Sequence, residues 1–228
     1  MKNEIVTGLV QRVEKRNVFI DLDKTEAILP PGEQMFGENY QVNNRLKVYI
    51  TEVKKTTKGP QITVSRTHPG LVKRLFEFEV PEIAKGEVLI KNISREAGSR
   101  TKISVSAQDN EIDPVGSCVG YRGTRVQRIV EELQGEKIDI IKWSEEPVEY
   151  ISSALSPAKV LSVLPNPDQK SAMVIVPDNQ LSLAIGKEGQ NARLAAKLTG
   201  WKIDIKSQSQ AQFLQGELIT EQGDGDDL

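Results

Sequence analysis

The sequence GYRG at residues 120–123 recurs 66 residues later as GKEG at residues 186–189. Both segments have the form GxxG, and the apolar residues before them keep the same offset, as Val119 does with Ile185. The tetrapeptide KIDI follows both segments, beginning at Lys137 and again at Lys202. A shared tetrapeptide beside a shared GxxG segment indicates an internal repeat, that is, two copies of one structural module.

The predicted secondary structure around the two GxxG segments repeats as well. Helices with apolar residues at helical spacing are predicted over 70–79, where Pro69 is a favourable start, and over 146–155. Two strand-like runs follow each of these helices, at 87–90, 101–107, 159–164 and 172–177. The helices after the GxxG segments are predicted over 124–133 and 190–198, with Gly135 and Gly200 as their stops. The order helix, strand, strand, helix, GxxG, helix, strand therefore occurs twice.

Residues 4–64 have a different pattern, in which short β-rich runs are separated by turns. The runs are 5–13, 18–22, 27–29, 46–53 and 61–64. Five short strands in so short a segment predict a small closed barrel such as an OB-fold, and an SH3-like barrel is the competing prediction. Phe19, Tyr40 and Tyr49 have two alternative roles there, stacking on nucleic-acid bases or filling the core.

Composition and charge limit the class of protein. The chain has 228 residues, of which 38% are hydrophobic and 27% charged, and these fractions are typical of a globular protein. The net charge is −2, but all five charged residues after Lys206 are acidic. The first 206 residues are thus mildly basic, with 30 bases and 27 acids. Residues 207–228, polar and rich in Gln and Asp, are predicted to be a disordered acidic tail.

Several classes of site and of cellular location are excluded by residues and segments that the sequence lacks. Cys118 is the single cysteine, so neither an intramolecular disulfide nor a cysteine-based zinc site is expected. His68 is the single histidine, and it is predicted to cap a helix or lie on the surface. Neither a P-loop nor a G-x-G-x-x-G segment is present, so we expect no enzyme, cofactor or metal. With no apolar run of membrane-spanning length and no signal peptide, the expected location is the cytoplasm, without membrane contact.

A pair of glycines flanking a helix start can hold a phosphate backbone. Glycine lacks a Cβ atom, so a phosphate can approach closely, and the N–H groups at the start of the following helix favour an anion. KH modules hold a short single strand with such a loop. The candidate RNA-binding residues are Gly120, Tyr121, Arg122, Gly123 and Arg125 in the first copy, and Gly186, Lys187, Glu188, Gly189, Gln190, Asn191 and Arg193 in the second. Glu188 makes the second loop less favourable to phosphate than the first.

These motifs resemble the NusA family of bacterial transcription elongation and termination factors, and the likeness covers about residues 4–206. The matching motifs are SRTHP at 65–69, FEVPEI at 78–83, GSRTKI at 98–103, DPVGSCVG at 113–120 and GQNARL at 189–194. The resemblance implies an α+β protein, with an S1-type OB-fold β-barrel followed by two tandem KH domains of the bacterial (type II) topology. The predicted domains are a barrel at 1–66, KH domains at 67–144 and 145–206, and the tail at 207–228.

The resemblance also implies a function, namely binding nascent single-stranded RNA and modulating RNA polymerase pausing, termination and antitermination. Other elongation and antitermination factors are then expected partners, and the chain is expected to be monomeric. Members of the family contact RNA polymerase through an N-terminal domain, whereas this sequence begins at the barrel. Two alternatives are an accessory piece of an RNA-degrading phosphorolytic enzyme, which module order disfavours, and a protein-interaction scaffold, which the intact loop glycines disfavour.

Overall fold

The computed structural model of the chain describes residues 2–213, which form two compact units divided between Ile140 and Ile141. The first unit contains a β-barrel and one α/β module, and the second unit contains another α/β module. Each unit has its own buried apolar core. The α+β class and the repeat predicted from the sequence are both present in this architecture.

The N-terminal barrel has the five predicted strands. They are β1 (Ile5–Glu14), β2 (Asn17–Asp21), β3 (Glu26–Leu29), β4 (Arg45–Thr56) and β5 (Gly59–Ser65). The barrel closes in the order β1-β2-β3-β5-β4, with β3 and β5 parallel and the other described pairs antiparallel. Alternate side chains point inward. The interior is therefore filled by aliphatic groups such as Val18, Ile20 and Ile50, each at most 1% exposed.

Tyr49 and His68 join the barrel to the α/β module of the same unit. The Tyr49 side chain is 7% exposed and belongs to the core of that module, so filling the core is its role. Its ring stacks on the His68 ring with the centroids 4.6 Å apart. His68 Nδ1 accepts a hydrogen bond from the Gly70 N–H at 2.9 Å, which confirms the predicted cap. Tyr40 is held differently, because its hydroxyl donates to Glu38 at 2.6 Å and burial raises its pKa.

The α/β module of the first unit follows the predicted order, with one additional short helix, Pro81–Ala84, that was not predicted. Its elements are α1 (Pro69–Glu79), α2 (Pro81–Ala84), β6 (Val88–Glu96), β7 (Arg100–Ala107), α3 (Pro114–Val119), α4 (Thr124–Glu132) and β8 (Lys137–Lys142). The sheet order is β6-β7-β8. Leu71 and Phe76 of α1 and Ile129 of α4 pack with Ile103 of β7 in one core, which fixes the helices on the sheet.

Arg66, at the end of the barrel, is fully buried and joins the barrel to α4. Its guanidinium is ion-paired with Glu38 of the barrel and with Glu132 of α4. It also donates to the backbone oxygens of Lys47 at 2.7 Å and Glu132 at 2.8 Å. Burial by itself would lower the pKa of Arg66, but the hydrogen bond and charge of Glu38 outweigh it and raise that pKa. This network holds the barrel and α4 together within the unit.

The second unit repeats the module. Its elements are α5 (Pro147–Ala154), β9 (Ser162–Asn166), β10 (Ser171–Val176), α6 (Leu181–Ile185), α7 (Gln190–Thr199) and β11 (Lys202–Ser207). The sheet order is β11-β10-β9, with β10 antiparallel to β9 and parallel to β11. Ile151, Val174 and Leu198 are buried in its core, and Gly200, with φ 75°, ends α7 as predicted.

The residues after β11 depart from the sequence prediction. Ser207 is the last residue of β11, and residues 208–213 are helical. Ser207 and Gln210 form a capping box, in which the Gln210 N–H donates to Ser207 Oγ at 3.2 Å and the Ser207 N–H donates to Gln210 Oε1 at 2.9 Å. The Ser209 N–H donates to Asp178 at 3.0 Å, which together with the Ser209 hydroxyl lowers the Asp178 pKa. The prediction of a disordered tail is wrong for 207–213, and 214–228 lie outside the described residues.

Two truncated chains should distinguish the contribution of these contacts to stability from that of the acidic residues that follow. A chain ending at residue 206 loses the capping box and the Asp178 contacts, so the second unit should lose about 1 kcal/mol of stability. A chain ending at residue 213 keeps both and should melt like the full chain. Trp143 and Trp201, the only two tryptophans, lie in the second unit, so tryptophan fluorescence melts report on it. Equal melting of both truncated chains would contradict the expectation.

Candidate nucleic-acid interface

The first glycine of each GxxG loop is required by the loop's own fold. Gly120 has φ 75° and ψ 172°, and Gly186 has φ 78° and ψ 168°, a region that is essentially restricted to glycine. A Cβ atom on Gly120 would lie 2.6 Å from Cγ of Arg125, and one on Gly186 would lie 2.7 Å from the backbone N of Asn191. These two glycines are therefore needed whether or not a ligand binds.

The last glycine of each loop faces open space. Gly123 and Gly189 have φ 77° and 74°, in the left-handed region. A Cβ atom on Gly123 would have no neighbour within 4 Å, and one on Gly189 would have only Arg193 Nη1, at 3.9 Å. The residues just before them are left-handed too, with φ 52° at Arg122 and 53° at Glu188. The loops thus share one backbone conformation, which leaves the last glycine accessible to a phosphate.

A helix begins directly after each loop, at Thr124 for α4 and at Gln190 for α7. Neither helix has a side-chain cap or an acidic residue in its first turn. The first N–H groups of a helix have no partner within the helix, and the helix dipole makes this end positive. The N–H of the first helical residue donates within the loop in each module, from Thr124 to the Tyr121 oxygen and from Gln190 to the Lys187 oxygen, so an anion such as a phosphate can bind to the N–H groups that follow.

The two middle residues of each loop project from the surface. Tyr121 is 78% exposed, and Arg122, Lys187 and Glu188 are exposed as well. The first loop therefore presents an aromatic ring and a cation, and the second presents a cation and a carboxylate. The first loop is the more favourable to a phosphate chain, as the sequence predicts.

Asn191 does not project from the surface, contrary to the sequence prediction that it contacts RNA. It is 2% exposed, and its Nδ2 donates to the backbone oxygens of Leu155 at 3.0 Å and Ala184 at 2.9 Å. Its side chain therefore braces the loop from inside the module. A buried amide of this kind cannot reach a ligand on the surface.

Arg125 occupies the corresponding place in the first module. Its Nη1 donates to Glu82 at 2.8 Å and to the Ser117 backbone oxygen at 2.7 Å, while its side-chain stem packs against Gly120. Arg125 and Asn191 are 66 residues apart, the spacing of the repeat. The spacing could have predicted equal roles for the two residues, and both position the loop.

Arg193 and Gln190 lie at the start of α7. Arg193 is exposed, and its Nη1 donates to the Glu188 backbone oxygen at 2.9 Å, which steadies the second loop. Gln190 is the first residue of α7 and is partly exposed. Arg193 can steady the loop and face a ligand at the same time, because its side chain lies on the outer surface.

The barrel has an aromatic surface that the sequence showed only in part. The Arg12 guanidinium lies 4.0 Å from the centroid of the Phe19 ring and is ion-paired with Glu26. Arg12 and Phe19 face each other across the β1–β2 hairpin. Pairing the two strands about the Lys15-Arg16 turn places Arg12 opposite Phe19, so the sequence is enough to predict this contact. A ring backed by a guanidinium is a surface on which a base can stack.

Comparison with known proteins assigns each part of the chain. An S1 RNA binding domain model matches residues 1–65, a NusA-like first KH domain model matches 66–143, and a NusA-like second KH domain model matches 147–213. The chain belongs to the NusA family. The fold predicted from the sequence is confirmed, with an S1 barrel followed by two KH domains in which a helix and a strand precede the βααβ core.

NusA relatives support the same assignment. The chain is 65% identical over 213 residues to a protein of Halalkalibacterium halodurans and 63% identical over 213 residues to one of Bacillus subtilis, in both cases over 93% of this chain. A Thermus thermophilus relative is 49% identical over 206 residues, 90% of this chain. All three are named transcription termination/antitermination protein NusA. The chain spans 56%, 57% and 53% of their respective lengths, about half of each relative.

Residues 2–213 contain neither a membrane-spanning helix nor a cluster of metal ligands. No helix there has both the length and the apolar character needed to cross a bilayer. Within the same residues, no three His, Cys, Asp or Glu side chains are grouped so that they could hold a metal ion. Cys118 is buried, and burial raises its pKa to about 12, so its thiol stays protonated at neutral pH.

Proposed function

We propose that this chain binds single-stranded RNA, with a phosphate held at Gly123 and at Gly189, and that it thereby modulates pausing, termination and antitermination of transcription. The observation that carries the proposal is the shared loop conformation, which twice places an accessible glycine at an uncapped helix start. We call Gly123 with the start of α4, and Gly189 with the start of α7, the two phosphate clamps. Anion binding at a helix start needs no side chain, so binding at the clamps is independent of RNA sequence. The S1 and KH matches support RNA as the nucleic acid.

The residues around the two loops divide into those that contact RNA and those that position the loop. Arg122, Lys187 and Arg193 are exposed cations suited to phosphate oxygens. Asn191 is buried and acts on binding only through the second loop, whereas Arg125 is partly exposed and both holds the first loop in shape and faces the RNA. Val119 and the 37% exposed Ile185, at the ends of α3 and α6, offer apolar contact to bases.

Both clamps belong to one chain, and this connection favours binding of one long strand. Only residues 143–146 separate β8 from α5. A strand held at one loop is then at a high effective concentration for the other, so a long oligonucleotide should bind more tightly than a short one. The Phe19 and Arg12 surface of the barrel adds a stacking site for the same strand.

The names of the relatives support a role in transcription with RNA polymerase and other elongation factors as partners. In that role the chain acts in the cytoplasm, as a monomer, by binding rather than by catalysis. Neither loop contains a histidine or a cysteine that would serve as base or nucleophile. The RNA-degrading alternative stays disfavoured, because the NusA-like KH models match both modules.

The salt dependence of RNA binding tests the phosphate clamps. For single strands, each neutralised phosphate contributes about −0.7 to the slope of log affinity against log salt. Neutralisation of about three phosphates by Arg122, Lys187 and Arg193 predicts a slope of about −2. The measurement is a fluorescence-polarisation titration of a labelled single-stranded RNA at several salt concentrations.

A matched variant sharpens this test. Arg122→Gln removes one exposed cation and should make the slope shallower by about 0.7. Lys54→Gln removes an equal charge from strand β4 of the barrel, which is not part of either loop, and should leave the slope unchanged. A slope near zero for the unmodified chain would contradict the proposal.

A further inference from the structure

The two loops have one backbone conformation but different side chains, so their chemical difference is confined to two positions. Residues 121 and 122 are Tyr and Arg, and residues 187 and 188 are Lys and Glu. The φ and ψ angles are 52° and 29° at Arg122, and 53° and 26° at Glu188. Within the four residues of each loop, any difference in binding therefore comes from these two side chains.

Tyr121 has no role in the core that would explain an aromatic residue. Its side chain is 78% exposed, and it belongs to none of the three buried clusters. An exposed ring leaves apolar surface in water, which is unfavourable unless something covers it. The Arg122 guanidinium lies 5.2 Å from the ring centroid, so a cation–π contact restrains the ring.

The position of the ring indicates what covers it. Tyr121 is two residues before Gly123, whose open side adjoins the uncapped start of α4. We propose that the Tyr121 ring stacks on a nucleobase of the strand whose phosphate is held at that helix start. This inference rests on the proposed function, since it needs RNA at the first loop. Tyr121 of the first loop then contacts a base, whereas Lys187 and Glu188 of the second loop contact the RNA backbone alone.

The size of the effect follows from the chemistry of stacking. A base stacked on an aromatic side chain contributes on the order of tenfold or more in affinity. Every base has a π-face, so the contact should be tolerant of sequence. A strand without bases should gain nothing from the ring. Val119, Ile185 and Phe19 also contact bases in the proposed complex, so the contribution of Tyr121 is isolated by comparing how a Tyr121 substitution changes the affinity for RNA and for an abasic strand of equal length.

The test measures the affinity of the full 228-residue chain for a single-stranded RNA and for the abasic strand. Tyr121→Leu, which keeps an apolar side chain without a π-face, should weaken RNA binding about tenfold and leave abasic binding within twofold. Tyr121→Phe keeps the ring and should bind both strands like the unmodified chain. Unchanged RNA binding by Tyr121→Leu, or equal losses for both strands, would overturn the proposal.

A loop exchange and a clamp variant complete the test. Tyr121→Lys with Arg122→Glu should lower the affinity for RNA relative to the affinity for the abasic strand, because stacking at the first loop is lost. Adding Lys187→Tyr with Glu188→Arg should restore that relative affinity, because the second loop then carries the ring. Failure of the restored variant would also overturn the proposal. Gly123→Asp should weaken both strands. If it weakens neither while Tyr121→Leu still weakens RNA, the clamp fails and the stacking contact stands.

Discussion

The double variant Gly123→Asp, Gly189→Asp should bind single-stranded RNA about a hundredfold more weakly than the unmodified chain while keeping its fold. Both positions are left-handed, a region in which Asp is among the better tolerated residues. A Cβ atom fits at both positions, but it brings a carboxylate to the place where a phosphate should approach. The measurement is an RNA titration accompanied by circular dichroism melts.

The matched control for this variant is the pair Gly123→Asn and Gly189→Asn. Asn has the shape of Asp and equal tolerance of the left-handed region but no charge, so it separates repulsion from steric exclusion. We expect a smaller loss of affinity than with Asp. Of the single Asp variants, Gly123→Asp should have the larger effect, because Arg122 assists the first loop and Glu188 opposes binding at the second. Undiminished RNA binding by the double Asp variant would exclude these loops as the clamps.

The first glycines of the loops should behave in the opposite way. Gly120→Ala and Gly186→Ala put a Cβ atom 2.6 Å and 2.7 Å from neighbouring atoms, in a backbone region restricted to glycine. These variants should lower the melting temperature, whereas the Asn variants at Gly123 and Gly189 should lower it little. The contrast distinguishes a glycine that the fold requires from one that a ligand requires.

Arg66→Ala should lower the free energy of unfolding of the first unit by about 3–5 kcal/mol. The substitution leaves the Glu38 carboxylate, whose side chain is 6% exposed, without its cation. It also removes the hydrogen bonds to the Lys47 and Glu132 backbone oxygens. Removing one member of a buried ion pair is costly because the remaining charge stays in a poorly solvated place.

Urea unfolding followed by circular dichroism measures this loss for the whole chain. Tryptophan fluorescence follows the second unit in the same samples, since Trp143 and Trp201 both lie there. Lys54→Ala is the control, because Lys54 and Glu52 form an ion pair 3.1 Å long between exposed side chains, and its loss should cost less than about 1 kcal/mol. An Arg66→Ala variant as stable as the Lys54→Ala variant would show that the buried network adds nothing.

The repeat, the element types and the place of the two GxxG loops could be predicted from local patterns. Apolar periodicity, the GxxG spacing and the stops at Gly135 and Gly200 each depend on neighbouring residues in the chain. The helix over 208–213 was missed although its signal is local as well. The capping box of Ser207 and Gln210 is visible in the sequence, within a segment whose polar composition predicts disorder.

The roles of individual side chains required the packing. Asn191 and Arg193 both follow the second loop and both can bind RNA by type, yet one is buried and the other exposed. The two glycines of one loop look alike in the sequence, and their difference appears only in φ, ψ and the surrounding atoms.

Long-range contacts explain this division. Spacing within a few residues decides which backbone conformations are open to the chain, so the sequence is enough to predict helices, strands and glycine loops. Burial depends on partners brought in from elsewhere: Arg66 meets Glu38 across 28 residues and Glu132 across 66. Tyr49 likewise is buried because it packs against residues of α1, which are distant from it in the sequence. The chain's local order therefore gives the two GxxG loops that we propose as clamps, and the tertiary packing decides which of their side chains are buried and which are exposed.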